Sequence, residues 1–372
     1  MNTFSFWLPT KIVFERGGLE KGLRLAAGIG HSAFIVCGKN FASGSGLLNR
    51  ITRVLSETRV TWTTFAQIKP EPDIENVEEG FSLYQRSGGD MILAVGGGSA
   101  LDAGKAIAVL ATNGGKLRDY FGVDKFGRKP LPVVAVPTTC GTGSEVTQYA
   151  VIVDRQAETK RTISSESIIP ELAILDSDLL KTLPPLLVAA TAMDAFSHAV
   201  ESFLAVKANW LSRSFSLASL NALLKAIPQA VTEKEREKFK EIAFYGSMMA
   251  GLALNQTGTI LIHGMGYVLT IFYGLHHGTA NALLMPAVLK FLKAKGLERE
   301  VNEIESLWRG EDGLRKLLRE IGLPLCLREI GGKPEDISDL VRLSEICCQR
   351  AVRNMGVKPT EEDYAEIWKA LL

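Results

Sequence analysis

Residues 191–203, TAMDAFSHAVESF, carry the side chains whose types and spacing point most directly to chemistry. Wound as a helix at 100° per residue, this stretch places Asp194, His198 and Glu201 within about 60° of one another. Phe196, Val200 and Phe203 fall on the far side, so one face can pack while the other presents a carboxylate and an imidazole. An Asp and a His four residues apart project side by side from successive turns and can share one cation. A solvated helix face that happens to contain a histidine is the plainer explanation of this stretch alone. The other histidines change the balance. The chain has five, and apart from His31 and His198 they are His263, opening HGMGY, and the adjacent His276 and His277 of YGLHHG. Asp194, His198, His263 and one of that adjacent pair would supply one oxygen and three nitrogens. Such a set suits iron(II), with zinc as the alternative ion, and leaves a position open for substrate.

The elements that must hold these groups follow from the apolar patterning. AFIVC (33–37), VTWTTF (60–65), MILAV (91–95) and PVVAV (132–136) read as buried strands, separated by stretches of helical period such as LLNRITRVLSE and IENVEEGFSLYQRS. That alternation predicts a parallel sheet covered on both faces. Beyond residue 182 the strands cease, and 184–205, 212–229, 233–254, 279–294, 312–321, 335–353 and 360–371 read as helices. Thr182 followed by Pro184 and Pro185 suits a helix start. The expected division is an α/β domain over 1–182 and an all-helical domain over 183–372.

Composition narrows the function classes. With 42 basic and 41 acidic residues, no nucleic-acid or charged-surface partner is indicated. Five cysteines without paired spacing make no disulfide framework. The opening MNTFSFWLPTKIVF lacks the features of a signal peptide, and the most apolar run, around 259–275, is broken by His263 and three glycines. A soluble cytoplasmic protein with no membrane partner is expected.

Two glycine-rich stretches follow predicted strands. In MILAVGGGSALDAGKAIAVL, Gly96, Gly97 and Gly98 allow a sharp turn with room for a phosphate at the next helix, and Ser99 and Asp102 have the spacing of a capping box. Neither the G-x-G-x-x-G nor the Walker pattern is present. VPTTCGTGSEVT (136–147) sets Thr138, Thr139, Thr142, Ser144 and Thr147 around two glycines, with Thr162 nearby, and such loops at the carboxyl ends of parallel strands bind ligands.

GGGSALDAGKA, PTTCGTGSEVT, TAMDAFSHAVESF and HGMGY…HHGTANALLMP together resemble the iron-containing alcohol dehydrogenase family, and the likeness runs along essentially the whole chain. The resemblance implies an N-terminal dinucleotide-binding α/β domain and a C-terminal helical domain, the dehydroquinate-synthase-like arrangement. It implies the metal ligands Asp194, His198, His263 and His277, selecting His277 over His276. The cofactor-binding candidates are Gly38, Gly96, Gly97, Gly98, Ser99, Asp102, Thr138, Thr139, Thr142, Ser144 and Lys160. Three departures stand out: Tyr267 where many members carry a second histidine, Ala192 in TAMDA, and Glu71 in PEPD where asparagine is usual. Tyr267 is the candidate for a proton path. NAD-using members place an aspartate just after the strand matching AFIVC; here Gly38, Lys39 and Asn40 follow, so NADP(H) is the expected cofactor, with NAD(H) as the second option. The implied reaction is hydride transfer between nicotinamide C4 and a small or medium alcohol or aldehyde, with the metal as Lewis acid. The rivals are a dehydroquinate-synthase-type lyase that uses nicotinamide and metal internally, a specialised diol, glycerol or maleylacetate reductase, and a non-catalytic metal staple. Relatives are commonly dimers or larger, so a homo-oligomer is expected.

Overall fold

The computed structural model describes residues 3–39, 46–232 and 236–372. The chain forms two compact units. One comprises Trp7–Thr139 and Ser144–Lys181; the other comprises Thr182–Leu372 with Cys140–Gly143 and the N-terminal residues through Phe6. Asn40, one of the residues behind the NADP(H) expectation, lies outside the described residues.

In the first unit, β1 (Lys11–Phe14), β2 (Ser32–Gly38), β3 (Thr61–Ile68), β4 (Met91–Gly96), β6 (Val133–Pro137) and β9 (Leu172–Leu175) form one sheet in the order β1-β9-β6-β4-β2-β3. Every pairing in it is parallel. The central strands are apolar throughout because both faces are covered. Phe34, Val36, Ile92 and Ala94 face one core with α3 (Ile74–Ser87) and α4 (Gly98–Asn113). Ala33, Ile35, Cys37, Met91, Leu93 and Val95 face the other with α1 (Leu19–Ala26) and α2 (Leu47–Glu57). Alternate residues of one strand thus serve opposite cores, as the two-residue period requires.

The sequence patterning misses β1 and β9, each only four residues long. It also misses a second sheet, in which β8 (Thr159–Ser164) lies between β5 (Gly122–Val123) and β7 (Tyr149–Asp154).

The helical unit is built around α5, Pro185–Leu204, which has Pro184 at its N-cap and is buried from Val188 to its end. It packs against α6 (Trp210–Thr232), α7 (Arg236–Thr257) and α9 (His277–Leu292). A helix that the periodicity leaves unassigned, α8 (Leu261–Tyr273), carries HGMGY. Smaller helices complete the unit. No helix among the described residues is long and apolar enough to cross a membrane.

Candidate metal centre and cofactor site

Three helices converge on one buried cluster. Asp194 comes from the middle of α5, His263 from the first turn of α8, and His277 is the first residue of α9. The His263 Nε2 lies 3.5 Å and the His277 Nε2 3.9 Å from Asp194 Oδ1. All three donor atoms fall within 4.8 Å of one another. Gly278 makes this approach possible, since a Cβ there would lie 1.9 Å from the Ala190 carbonyl oxygen. His276, by contrast, is the exposed N-cap residue of α9.

His198 sits beside the three rather than among them. Its ring stacks on that of His263 with centroids 4.3 Å apart, and the ring meets the Gly141 backbone. One carboxylate and three imidazoles are a donor set suited to iron(II) or zinc, so the residues fit the ion that the sequence implies. Tyr267 lies against the cluster, its ring stacked on His277 at 5.0 Å.

Behind the cluster stands Glu201, fully buried, which the helix geometry placed on the right face but which the ligand argument left unassigned. Its Oε2 lies 2.6 Å from His263 Nδ1, and its Oε1 accepts the His263 backbone N–H at 3.2 Å. A carboxylate on the outer nitrogen of an imidazole fixes the ring and makes the inner nitrogen a stronger ligand. The electrostatics agree. Burial pushes the His198 imidazole down to about 4, against the pull of the Asp194 carboxylate. Burial opposes charge on Asp194 too, yet the surrounding His198, His263 and His277 hold its carboxyl far below the usual range. Burial works against charge on His263, and the Glu201 carboxylate outweighs it and raises the ring's basicity.

In the α/β unit, the candidates gather at the carboxyl ends of β4 and β6. Gly96 turns the chain at φ 145° into α4, whose N-cap is Gly97. The expected capping box is absent: Gly97 offers no side-chain cap, and Ser99 already lies inside the helix. Asp102 instead accepts the Ser144 hydroxyl at 2.5 Å and the Val151 N–H at 2.9 Å, which ties down the far end of the hydroxyl-rich loop. With no side chain capping it, the start of α4 keeps its N–H groups for an anion. The Thr138 N–H bonds the Gly96 carbonyl at 2.9 Å, and Thr139 lies beside Gly97. Ser99 Oγ accepts the Glu71 N–H at 3.2 Å, and the Glu71 carboxylate pairs with the nearly buried Lys160 at 2.5 Å. Gly38 ends β2 at a register shift against β3. Thr142 belongs to the segment that groups with the helical unit.

Sequence reasoning missed Lys105. Fully buried, it donates to Ser144 Oγ and the Thr147 carbonyl at 2.8 Å and to the Tyr149 carbonyl at 2.9 Å. Its signal was a pair of charges, Asp102 and Lys105, three residues apart on an otherwise apolar helix.

Comparison with known proteins decides the family. Residues 9–177 match the iron-containing alcohol dehydrogenase family, and residues 188–372 match the C-terminal region of the same family. The chain belongs to the iron-containing alcohol dehydrogenases. Among the curated relatives, the NAD-dependent methanol dehydrogenase of Bacillus methanolicus is 32% identical over 99% of this chain and 100% of its own length. The lactaldehyde reductase of Escherichia coli strain K12 is 30% identical over 90% of this chain and 92% of its own length. Among solved structures, an alcohol dehydrogenase from Oenococcus oeni superimposes with a TM-score of 0.92 at 27% identity, each chain covered in full. This family member is therefore a metal-dependent, nicotinamide-linked oxidoreductase acting between alcohols and aldehydes, with the parallel-sheet and helical units that the sequence implied.

Proposed function

We propose that this oxidoreductase holds one divalent ion, iron(II) in the cell and zinc as the alternative, on Asp194, His263, His277 and His198, and that it prefers NADP(H). The observation that carries the metal reading is the buried convergence of Asp194, His263 and His277 within 4.8 Å, backed by Glu201. A bound ion supplies Lewis-acid polarisation of the alcohol or aldehyde oxygen. The chain's own residues do the rest. Asp194 brings the negative charge that favours a cation, and Glu201 fixes the His263 ring. His277 takes its place through the close approach at Gly278, and Tyr267, stacked on His277, is the side chain proposed for the proton path. The uncapped start of α4 and the threonines beside it are proposed to take the cofactor's diphosphate.

The NADP(H) preference rests on Gly38, which brings no carboxylate to the end of β2, and on Lys39 beside it. An acidic side chain at this place would accept the ribose hydroxyls and repel a 2′-phosphate. Small or medium aliphatic alcohols and aldehydes are the proposed substrates, on the largely apolar make-up of the helical unit. The five cysteines are free thiols, four of them buried, as suits a cytoplasmic enzyme. A homodimer or larger homo-oligomer is proposed on the habit of the family.

The test is metal analysis of the purified protein together with absorbance assays across an alcohol and aldehyde panel with both cofactors. Net reduction of nicotinamide by a simple alcohol, with about one ion per chain, is the expected result. Absence of net turnover would instead favour a lyase with internal redox chemistry.

A further inference from the structure

The helix α4 serves the proposed phosphate site twice. Its uncapped start is one side of that site, and the hydroxyl-rich loop after β6 is the other, with Thr139 lying beside Gly97. The near end of the loop is held at the turn between β4 and α4, where the Thr138 N–H bonds the Gly96 carbonyl at 2.9 Å. The far end is held from within α4 itself. Asp102 and Lys105, three residues apart, share a face of the helix, and both reach the segment 144–151. Asp102 accepts the Ser144 hydroxyl at 2.5 Å and the Val151 N–H at 2.9 Å. Lys105 Nζ donates to Ser144 Oγ and the Thr147 carbonyl at 2.8 Å and to the Tyr149 carbonyl at 2.9 Å, with Thr147 Oγ1 at 3.4 Å.

An ammonium brings three N–H groups, and here all three are directed at this one segment. None of these hydrogen-bond partners is a carboxylate. Asp102 meets Lys105 through the Ser144 hydroxyl, which accepts from the lysine and donates to the aspartate. A fully buried charge held by neutral oxygens costs free energy that a methionine of similar length would not. Burial pushes the Lys105 ammonium down to about 8 despite the nearby carboxylates of Asp102 and Glu145. A side chain serving stability alone would be apolar at this position. What the ammonium adds is direction: oxygens of Ser144, Thr147 and Tyr149 converge on one atom, and the path of the segment is fixed relative to α4.

We propose that Lys105 is a positioning residue of the cofactor site: its ammonium locks the segment 144–149 to α4, and so fixes the far end of the loop whose threonines stand beside the helix start. Ser144, its hydroxyl engaged both as donor and as acceptor, belongs to this anchor and not to the cofactor's contacts. The proposal rests on the reading of the helix start and the loop as the phosphate site.

The experiment replaces Lys105 by methionine, which keeps the length of the side chain and loses its donors. Native enzyme and Lys105→Met are each titrated with NADPH and with NADH, and binding is read from the fluorescence of the reduced nicotinamide. Backbone order is read by hydrogen exchange with mass spectrometry. The variant should bind both cofactors about tenfold or more weakly, because residues freed from the anchor must be ordered again on binding. Amide exchange should quicken over 144–151 while the rest of the chain and the metal content stay native. The KM for cofactor should rise, with kcat at saturating cofactor within about threefold. Lys105→Gln, which carries fewer donors on a shorter side chain, takes its place with the same expected pattern if the methionine variant does not fold. Native affinity, or a loss confined to kcat, would overturn the proposal. So would weakened binding with faster exchange throughout the chain, the mark of a merely structural role. Gly97→Asp separates the two ideas. Aspartate suits an N-cap, so this variant should fold, but its carboxylate would stand where the diphosphate binds. If it binds the cofactors as the native enzyme does, the reading of the phosphate site fails rather than the role of Lys105.

Discussion

Replacing Gly38 by aspartate tests the cofactor preference where the structure lets its size be worked out. Gly38 closes β2, and a Cβ built there lies 3.3 Å from the Ile68 carbonyl oxygen of β3. That contact is tight but asks the neighbour to give only a few tenths of an ångström, so Gly38→Asp should fold and should bind NADH with little change. For NADPH two effects add. A charge-assisted contact to the 2′-phosphate, worth about 1.5–3 kcal/mol, is lost or weakened. A new carboxylate about 5 Å from a doubly charged phosphate, at a half-exposed position, adds a repulsion of about 2 kcal/mol. Together they come to about 3.5–5 kcal/mol before screening by salt, and a factor of ten costs about 1.4 kcal/mol. The expected outcome is a loss of at least about a hundredfold in kcat/KM for NADPH, against a change within about threefold for NADH. The assay is the initial rate of aldehyde reduction with each cofactor at low and physiological salt; the NADPH loss should shrink as salt rises. Equal efficiency with both cofactors in the native enzyme would refute the reasoning, as would parallel losses with both in the variant. The second result would mean that Gly38 serves only the register shift between β2 and β3.

Other perturbations address the metal centre and the buried charges. His263→Ala should purify with little iron or zinc by atomic absorption and with almost no turnover, while its far-UV circular dichroism stays native. His277→Asn should lose metal, whereas His276→Asn, altering an exposed cap residue, should keep about one ion per chain and most of the activity; the opposite pattern would reverse the assignment. Glu145, buried and pushed by its burial up to about 7 despite the nearby Lys105, should make stability fall with pH. Its native form keeps a proton that the unfolded chain releases near the ordinary glutamate range, so stability present in acid is lost as the pH climbs to about 7. Thermal melts of Glu145→Gln should accordingly gain more over the native protein at pH 8 than at pH 5, and an equal difference at both would count against this account.

Much of the architecture was open to reading because it is written locally. The strands over 33–37, 91–95 and 132–136 are apolar on both faces, and α5 carries its Asp and His one turn apart. What escaped was decided by partners distant in the chain. Glu201 was visible on the ligand face of α5, but its task depends on His263 arriving from α8. Lys105 shares its face with Asp102, yet nothing nearby in sequence shows that its ammonium will meet Thr147 and Tyr149. The helix α8 itself was hidden by Gly264 and Gly266, residues that weaken an isolated helix but let this one pack closely. Ser99 and Asp102 had capping spacing, and Asp102 was drawn instead to Ser144 and Val151. Spacing records what a side chain can reach within its own helix, not what competes for it from elsewhere.

The three donors of the cluster come from three helices, two of them consecutive and the third, α5, more than fifty residues earlier in the chain. An ion gripping all of them is a cross-link, and it can form only in the folded state. By mass action such a link stabilises the fold by about 2.7 kcal/mol when free ion stands at a hundred times its dissociation constant. Scarcity of the metal would then be registered twice, first as lost turnover and then as a shorter life for the protein, because helices no longer pinned together open more often to proteases.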